Sequence, residues 1–455
     1  MEKEFKKILG FSSLLAAAVG IVVSQGTLVS VMQGIALGQT DFIIALSIAA
    51  LLSFCYICTF SELSLMMPKA GGINAYSQVA LGHFPSIVAT LCGYVVVSVL
   101  GIPAELQLLQ SGIFEVFHVN IPHLGLVLLI IVTAMNIFGI DFFSKFQNVF
   151  SFSMIAVLAL IGIQYFTGTS PESNDLNSLS MSSISISNAF SLVSLALWAF
   201  LGAEFICSLS EESINPQKHI PRAMTIGMII IFVLYTLFGL TAIKFLPQDI
   251  ILSSQMPHFK LINEILGSFG SSIMLIVCIS ASSSTINSIM SSIPRMMYGM
   301  SKSGQLPSFI GYIHPKFKTP VFAILSLFLL ALIPMIGMTS SIEQVITLLI
   351  AASTSWLATY VIAHFSLIKL RKDYPHHTRP YKSPLFPMPQ LFGSLGMIYV
   401  FFNCAPTPEL APTIYKYAGI CISIVAIYAI IWIKFVMKTS LFTPVQMSKI
   451  LDEVA

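Results

Sequence analysis

Apolar runs long enough to cross a lipid bilayer alternate along this chain with short polar links. A crossing helix needs about 20 apolar residues. Such runs lie at 11–36, 41–66, 85–115, 122–141, 146–167, 188–210, 221–246, 266–298, 320–338, 343–370, 389–406 and 413–437, which predicts about twelve transmembrane helices. Only helices and closed barrels satisfy their own backbone in hydrocarbon, and these continuous runs lack the alternation over about ten residues that marks a barrel strand. The expected class is therefore an all-α integral membrane protein. It has an N-terminus at 1–10, spans 1–5 over 11–168, spans 6–10 over 188–370, spans 11–12 over 389–437 and a C-terminus at 438–455.

The polar links carry the orientation. If the N-terminus is cytoplasmic, Lys3, Lys6, Lys7, Lys69, Lys145, Lys218, Arg222, Arg295, Lys302, Lys316, Lys318, Lys369, Arg371, Lys372, Arg379, Lys382, Lys434, Lys438 and Lys449 fall on that side. Only Lys244, Lys260 and Lys416 fall opposite, which accounts for all 22 basic residues. Positive charge accumulates on cytoplasmic loops, so both termini are expected there, in the plasma (inner) membrane of a bacterium. The polar loop 170–183 has no Lys or Arg, as an outer loop should. The run after MEKEFKK exceeds a signal peptide's apolar core and has no small-residue cleavage site, so it reads as the first span.

Composition agrees with the pattern: 56% of residues are hydrophobic, 9% are charged and mean hydropathy is +0.88. The net charge of +3 is too small to imply nucleic acid as a partner. Seven Cys are scattered along apolar stretches. The Cys55/Cys58 pair has no neighbouring His or second pair, so neither a metal nor any other cofactor is expected.

Two spans are chemically unusual. Span 1 carries Gly20, Ser24, Gln25, Gly26 and Thr27 near its centre, and span 6 carries Gly202 and Glu204. An ionisable residue inside a membrane helix is a functional candidate by default. Small residues in membrane helices commonly serve helix packing. The alternative is that both helices are unwound at mid-membrane, exposing backbone N–H and C=O groups to a substrate or ion. Spans 1 and 6 are equivalent positions if the chain is two inverted five-helix repeats plus two extra helices.

Four segments resemble one family. SELSLMMPKAGGINAYSQVALG (61–82) is similar to the amino acid-polyamine-organocation transporters, with an acid, a proline, a glycine pair and a closing A-L-G. WAFLGAEFICSLSEESINPQKHIPRA (198–223) resembles their W-x-F-x-G-x-E and E-x-x-N-P-x-x-x-I-P-R-A. PRMMYGMSKSGQLPSFIGYIHPKFKTP (294–320) and LRKDYPHHTRPYKSP (370–384) match two further loops in order. The resemblance implies the 5+5 inverted-repeat fold of the leucine-transporter class and transport of amino acids or related amines.

It also implies a site between the broken centres of spans 1 and 6. The N–H groups at Ser24, Gln25 and Gly26 would receive a substrate carboxylate at a half-helix N-terminus. Carbonyls of Trp198, Ala199 or Leu201 would take the α-ammonium, with Gly202 turning the chain. Trp198 matches the aromatic residue that closes over substrate in relatives. Glu204 matches an acid linked to proton sensing or gating; its alternative role is as a permanently protonated interhelical hydrogen-bond donor. Glu105 in span 3, beside Pro103, is a cavity acid. It would either attract a cationic group or bond to backbone freed by the proline. Asp41, Glu264 and Glu343 lie near expected helix starts, where capping explains an acid.

Some residues depart from the family. A lysine that many sodium-independent members carry in span 5 is replaced at the matching position by Met154. Span 8 offers ASSSTIN (281–287), and Ser283 and Ser284 with carbonyls near Gly20 and Val23 would form a sodium cage, unless the serines bond back to their own helix. The span 8 tryptophan of arginine exchangers is matched by Ile289. The leading expectation is a secondary amino acid transporter, permease or exchanger, working by alternating access, with a proton as one coupling ion. A cationic amino acid or polyamine antiporter is the alternative, and a non-transporting amino acid receptor the distant one. No G-x-S-x-G, H-E-x-x-H or paired intramembrane aspartates point to an enzyme. Expected partners are a small amino acid or amine, membrane lipid and a second copy of the chain. No regulatory plug is expected from the C-terminus.

Overall fold

The computed structural model describes residues 5–121, 123–168, 184–254, 256–337, 342–405 and 409–452. The outer loop 170–183 lies outside the described residues, as does the side chain of Glu343. The described residues are almost entirely helical, with one isolated backbone bridge, Leu9 to Ser213.

In chain order the helices are α1 Phe11–Val22, α2 Gln25–Gly38, α3 Thr40–Met66, α4 Ile73–Leu81, α5 His83–Thr90, α6 Val97–Phe117, α7 Leu124–Phe138 and α8 Ile140–Thr167. After these come α9 Ile186–Ser191, α10 Val193–Trp198, α11 Pro216–Phe245, α12 Gln248–Ser253, α13 Pro257–Leu266 and α14 Ser268–Lys302. The last are α15 Val321–Gly337, α16 Ile342–Asp373, α17 Met388–Phe402, α18 Ala411–Ile431 and α19 Met447–Asp452.

Eight of the expected spans are long, apolar helical segments, and a ninth is the pair α1 and α2, bent by 56°. The remaining three positions hold shorter apolar helices, Leu124–Phe138, Val321–Met335 and Met388–Phe402. Fifteen residues rise only about 22 Å. Glu264 lies in the last turn of α13 rather than at a helix start, because a separate helix precedes span 8. Asp41 does sit in the first turn of α3, where it accepts bonds from Ser185 N (2.9 Å) and Asn188 Nδ2 (2.8 Å) and so ties α9 down.

Residues 8–9 and 445–451, the two described chain ends, lie at one end of the bundle. The amides of Ile8 and Leu9 donate to Glu212 O, and Ile214 N donates to Leu9 O. Past the last span, Val445 N donates to Gln78 O, and Lys69 Nζ to Leu451 O. Met447 and Ile450 are buried. The C-terminal segment is thus a strap docked beside α4. Its apolar residues find cover only once α4 is in place.

The motifs at this end form ties. Arg295 pairs with Glu212, both almost fully buried. Arg371 makes a two-pronged bond to Glu62 (2.8 and 2.6 Å), and Arg379 pairs with the same carboxylate at 3.2 Å. Arg379 also donates to the carbonyls of Leu370 and Tyr374, satisfying the end of α16. Asn74 bonds to Gln305 and Ser86, linking α4, α5 and the loop after α14. Gly71 and Gly299 meet so closely that a Cβ on Gly299 would lie 2.4 Å from Gly71 Cα.

Candidate functional site

The break in the first span is local chemistry. Val23 and Ser24 are extended (ψ 94° and 167°), and Ser24 caps α2. Its Oγ accepts from Thr27 N while Thr27 Oγ1 accepts from Ser24 N, a reciprocal box that satisfies two amides otherwise stranded in hydrocarbon. On the other side of the break, Val22 O accepts from Thr27 Oγ1 and Tyr235 OH, each at 3.2 Å. These bonds allow a helix to open inside a membrane.

The second break faces it. α10 closes its last turn with Ala199 N on Ala196 O and Phe200 N on Leu197 O. Phe200 O accepts from Tyr56 OH at 2.6 Å. Gly202 has φ +119°, a conformation that side-chain-bearing residues rarely adopt, and a 3₁₀ helix, Ala203–Glu212, follows.

Between the breaks lies a cavity lined by Ser24, Thr27, Ser98, Glu105, Trp198, Leu201, Phe205, Thr285, Ile289 and Trp356, among others. A second cavity runs outward from it between α2, α10 and α16, past Gly26, Gln33 and Ser353. Trp198 and Leu201 line both. They therefore form the partition between an inner chamber and a vestibule that opens away from the termini.

The carboxylate of Glu105 does not turn to the backbone beside Pro103. Its Oε2 accepts from Gln25 N (3.3 Å) and Ser282 Oγ (3.1 Å), and its Oε1 from Gly26 N (3.2 Å). Gln25 Nε2 donates to Ser282 Oγ at 2.7 Å. The N-terminus of α2 is thus an anion seat, as its sequence suggests, but the carboxylate on it is the protein's own.

Glu204 is fully buried below the chamber. Its Oε1 accepts from Tyr360 OH (2.8 Å) and Tyr94 OH (3.3 Å). Its Oε2 has no partner among the described residues, and neither do Gln25 Oε1 and Trp356 Nε1. Trp356 stacks on Tyr360 (5.9 Å) and meets Phe205 edge-on (5.5 Å), so an aromatic floor separates Glu204 from the chamber.

The expected sodium-site residues are only partly brought together. Gly20 lies against Ser284, Ser151 and Gln147, where a Cβ would come within 2.0 to 2.4 Å of their polar atoms. Gly20 O accepts from Thr285 Oγ1 at 3.0 Å. Ser284 is held by Gln147 Nε2 (2.7 Å) and Ser151 (2.9 Å), both of which also donate to Ala16 O. The residues reaching this gap from α8 are therefore Gln147 and Ser151, which lie on the same face of the helix as the apolar Met154, about two turns and one turn before it. Neither Val23 nor Ser283 joins this cluster through a hydrogen bond among the described residues. The described residues hold no group of His, Cys, Asp and Glu able to bind a metal ion.

The sequence reading missed Ser282, Tyr235, Tyr94, Tyr360, Trp356 and Gln147. Tyr94 sits in a π-helical turn, Leu91–Val96, a distortion that often marks functional sites but that only the structure displays. The others are hydroxyls, amides and aromatics on long helices, visible only when helices cross.

Two half-broken helices facing each other across a chamber, one end tied shut and a vestibule at the other, define an integral membrane transporter of the leucine-transporter fold class. The solved structure of Mhp1, a nucleobase-cation-symport-1 family transporter in a closed conformation, has the same fold, with a TM-score of 0.54 at 13% identity over 100% of this chain and 99% of that one. The amino acid permease family model matches residues 12–444, and the chain belongs to that family. It is 24% identical to the serine/threonine exchanger SteT of Bacillus subtilis (strain 168), over 89% of this chain and 93% of that one. It is 20% identical to the branched-chain amino acid permease BcaP of the same organism, over 88% and 89% respectively. It is a transporter and not an enzyme.

Proposed function

We propose that this protein is a secondary carrier that moves a small ammonium-bearing substrate, an amino acid or the corresponding amine, across the bacterial plasma membrane by alternating access. The observation that carries the reading is the chamber between the break at Val23–Ser24 and the break at Ala199–Gly202, bounded by Trp198 and Leu201. Open peptide groups at mid-span are expensive in lipid, and transporters use them to replace a substrate's hydration. The substrate ammonium docks on carbonyls of Trp198, Ala199 or Leu201, Gly202 supplies the turn, and Trp198 is the thin gate. Spans 1–5 and 6–10 are the two repeats that rock against each other, and both termini are cytoplasmic.

Ion coupling follows from the same geometry. At the position where related folds hold sodium, the amide of Gln147 already donates to Ala16 O and Ser284. That arrangement favours Glu204, with one oxygen unpartnered among the described residues, as the coupling group and a proton as the ion.

The test is uptake by the purified protein in liposomes, with radiolabelled amino acids and amines, with and without pH or sodium gradients and internal counter-substrate. Saturable uptake of at least one compound is expected, and Gly26→Leu should abolish it by crowding the partition. No uptake or counterflow of any compound would overturn the reading.

A further inference from the structure

Which end of the substrate the chamber recognises can be argued from what already occupies its walls; the argument rests on the transport reading above. The N-terminus of α2 offers two amides, Gln25 N and Gly26 N, in the geometry that receives a carboxylate. Both are taken, one on each oxygen of Glu105, and Ser282 Oγ completes the set. Glu105 is 3% exposed, and its neighbours Gln25 and Ser282 are fully buried, so this is a built arrangement and not a surface contact.

The amides of Ser24 and Thr27 are no freer, since each is satisfied by the other residue's hydroxyl. A substrate carboxylate entering the chamber would therefore meet no vacant N–H on α2. It would meet a like charge at close range in a medium that screens poorly. It would also find no counter-charge, because no Lys, Arg or His is among the residues lining the chamber.

A cation meets the opposite conditions. Glu105 is held by the amides of Gln25 and Gly26 and by the hydroxyls of Ser282 and Ser24, so what it offers a cation is its negative charge at the chamber wall. Trp198, Phe205 and Trp356 supply aromatic walls, against which an ammonium group is stabilised.

We propose that Glu105 is a built-in tenant of the carboxylate seat, and that the chamber selects an organic ammonium compound lacking a free carboxylate. The protein supplies the carboxylate that an amino acid would otherwise bring. Glu105 is then the specificity-determining residue, and α-carboxylates are discriminated against.

The experiment uses the full-length protein in liposomes and matched pairs that differ only at the carboxylate: leucine against isopentylamine, lysine against cadaverine, and leucine against leucinamide. Initial uptake of each labelled member and its competition by the other are measured. The amine or amide of at least one pair should be preferred tenfold or more in the wild type. Glu105→Ala, which vacates the seat, should shrink that preference at least tenfold, with the amino acid member gaining. Glu105→Gln checks that this change follows from the vacated amides: it fills the same space, but its single amide oxygen can accept from only one of the two α2 amides, so its preference should fall between those of the wild type and Glu105→Ala.

Preference for the amino acid in every pair by the wild type would overturn the proposal while leaving transport intact. The wild-type comparison stands even if Glu105→Ala fails to fold. Loss of amine uptake in a folded Glu105→Ala with no gain for the amino acid would also overturn the claim that the seat discriminates. Uptake of no member of any pair would take down the transport reading together with this one.

Discussion

At the scale of single residues, the membrane interior makes each polar atom informative, because an unsatisfied one is costly there. Glu204 shows this: one oxygen receives two phenol hydroxyls and the other has no partner among the described residues. Glu204→Gln keeps an acceptor for Tyr94 and Tyr360 but cannot take up and release a proton. The variant should fold with a melting temperature near wild type, while the dependence of uptake on pH flattens. Unchanged pH dependence would end the proton-coupling role. The presence of Glu204 and Glu105 in apolar runs was legible in the sequence, and so was their candidacy. Their partners were not, since Tyr94, Tyr360 and Ser282 lie 110, 156 and 177 residues away along the chain.

At the scale of elements, the contrast is between helices that open and helices that lock. The opening of span 1 was foreshadowed by S-Q-G-T, whose serine and threonine can cap a half-helix, and that of span 6 by Gly202. The locks were present as motifs without a stated purpose. Glu212 of the N-P loop and Arg295 of span 8 form a pair almost wholly buried. Arg295→Met leaves Glu212 buried without its partner, so a loss of about 3–5 kcal/mol is expected, read as a lower melting temperature in detergent. Arg295→Met with Glu212→Leu should recover part of it, because a buried pair replaced by apolar groups leaves no stranded charge. Failure of the double variant to recover would mean that the pair contributes by geometry rather than by charge balance.

At the scale of the whole molecule, the terminus-bearing end is closed by Glu62, Glu212, Arg295, Arg371 and the two chain ends, while the vestibule beyond Trp198 lies at the other end. Alternating access requires these ties to break together when the partition closes. The C-terminal strap contributes through Val445, Met447 and Ile450. Deleting residues 441–455 should speed amide hydrogen exchange in α4 and at the start of α5 without altering exchange in α11. Unchanged exchange in α4 would show that the strap lies on the bundle without holding it.

The sequence by itself determined the solvent this chain folds in, the number and order of its apolar segments, and which residues were chemically out of place. Those are properties of local composition and period, and lipid enforces them segment by segment. Only the tertiary structure decided who meets whom: that the seat on α2 is filled by Glu105 from α6, that Gln147 and Ser151 rather than Met154 reach Gly20, and that the C-terminal segment becomes a strap. Such pairings depend on where long helices cross, and hydropathy along one helix carries no information about the face another helix will present to it.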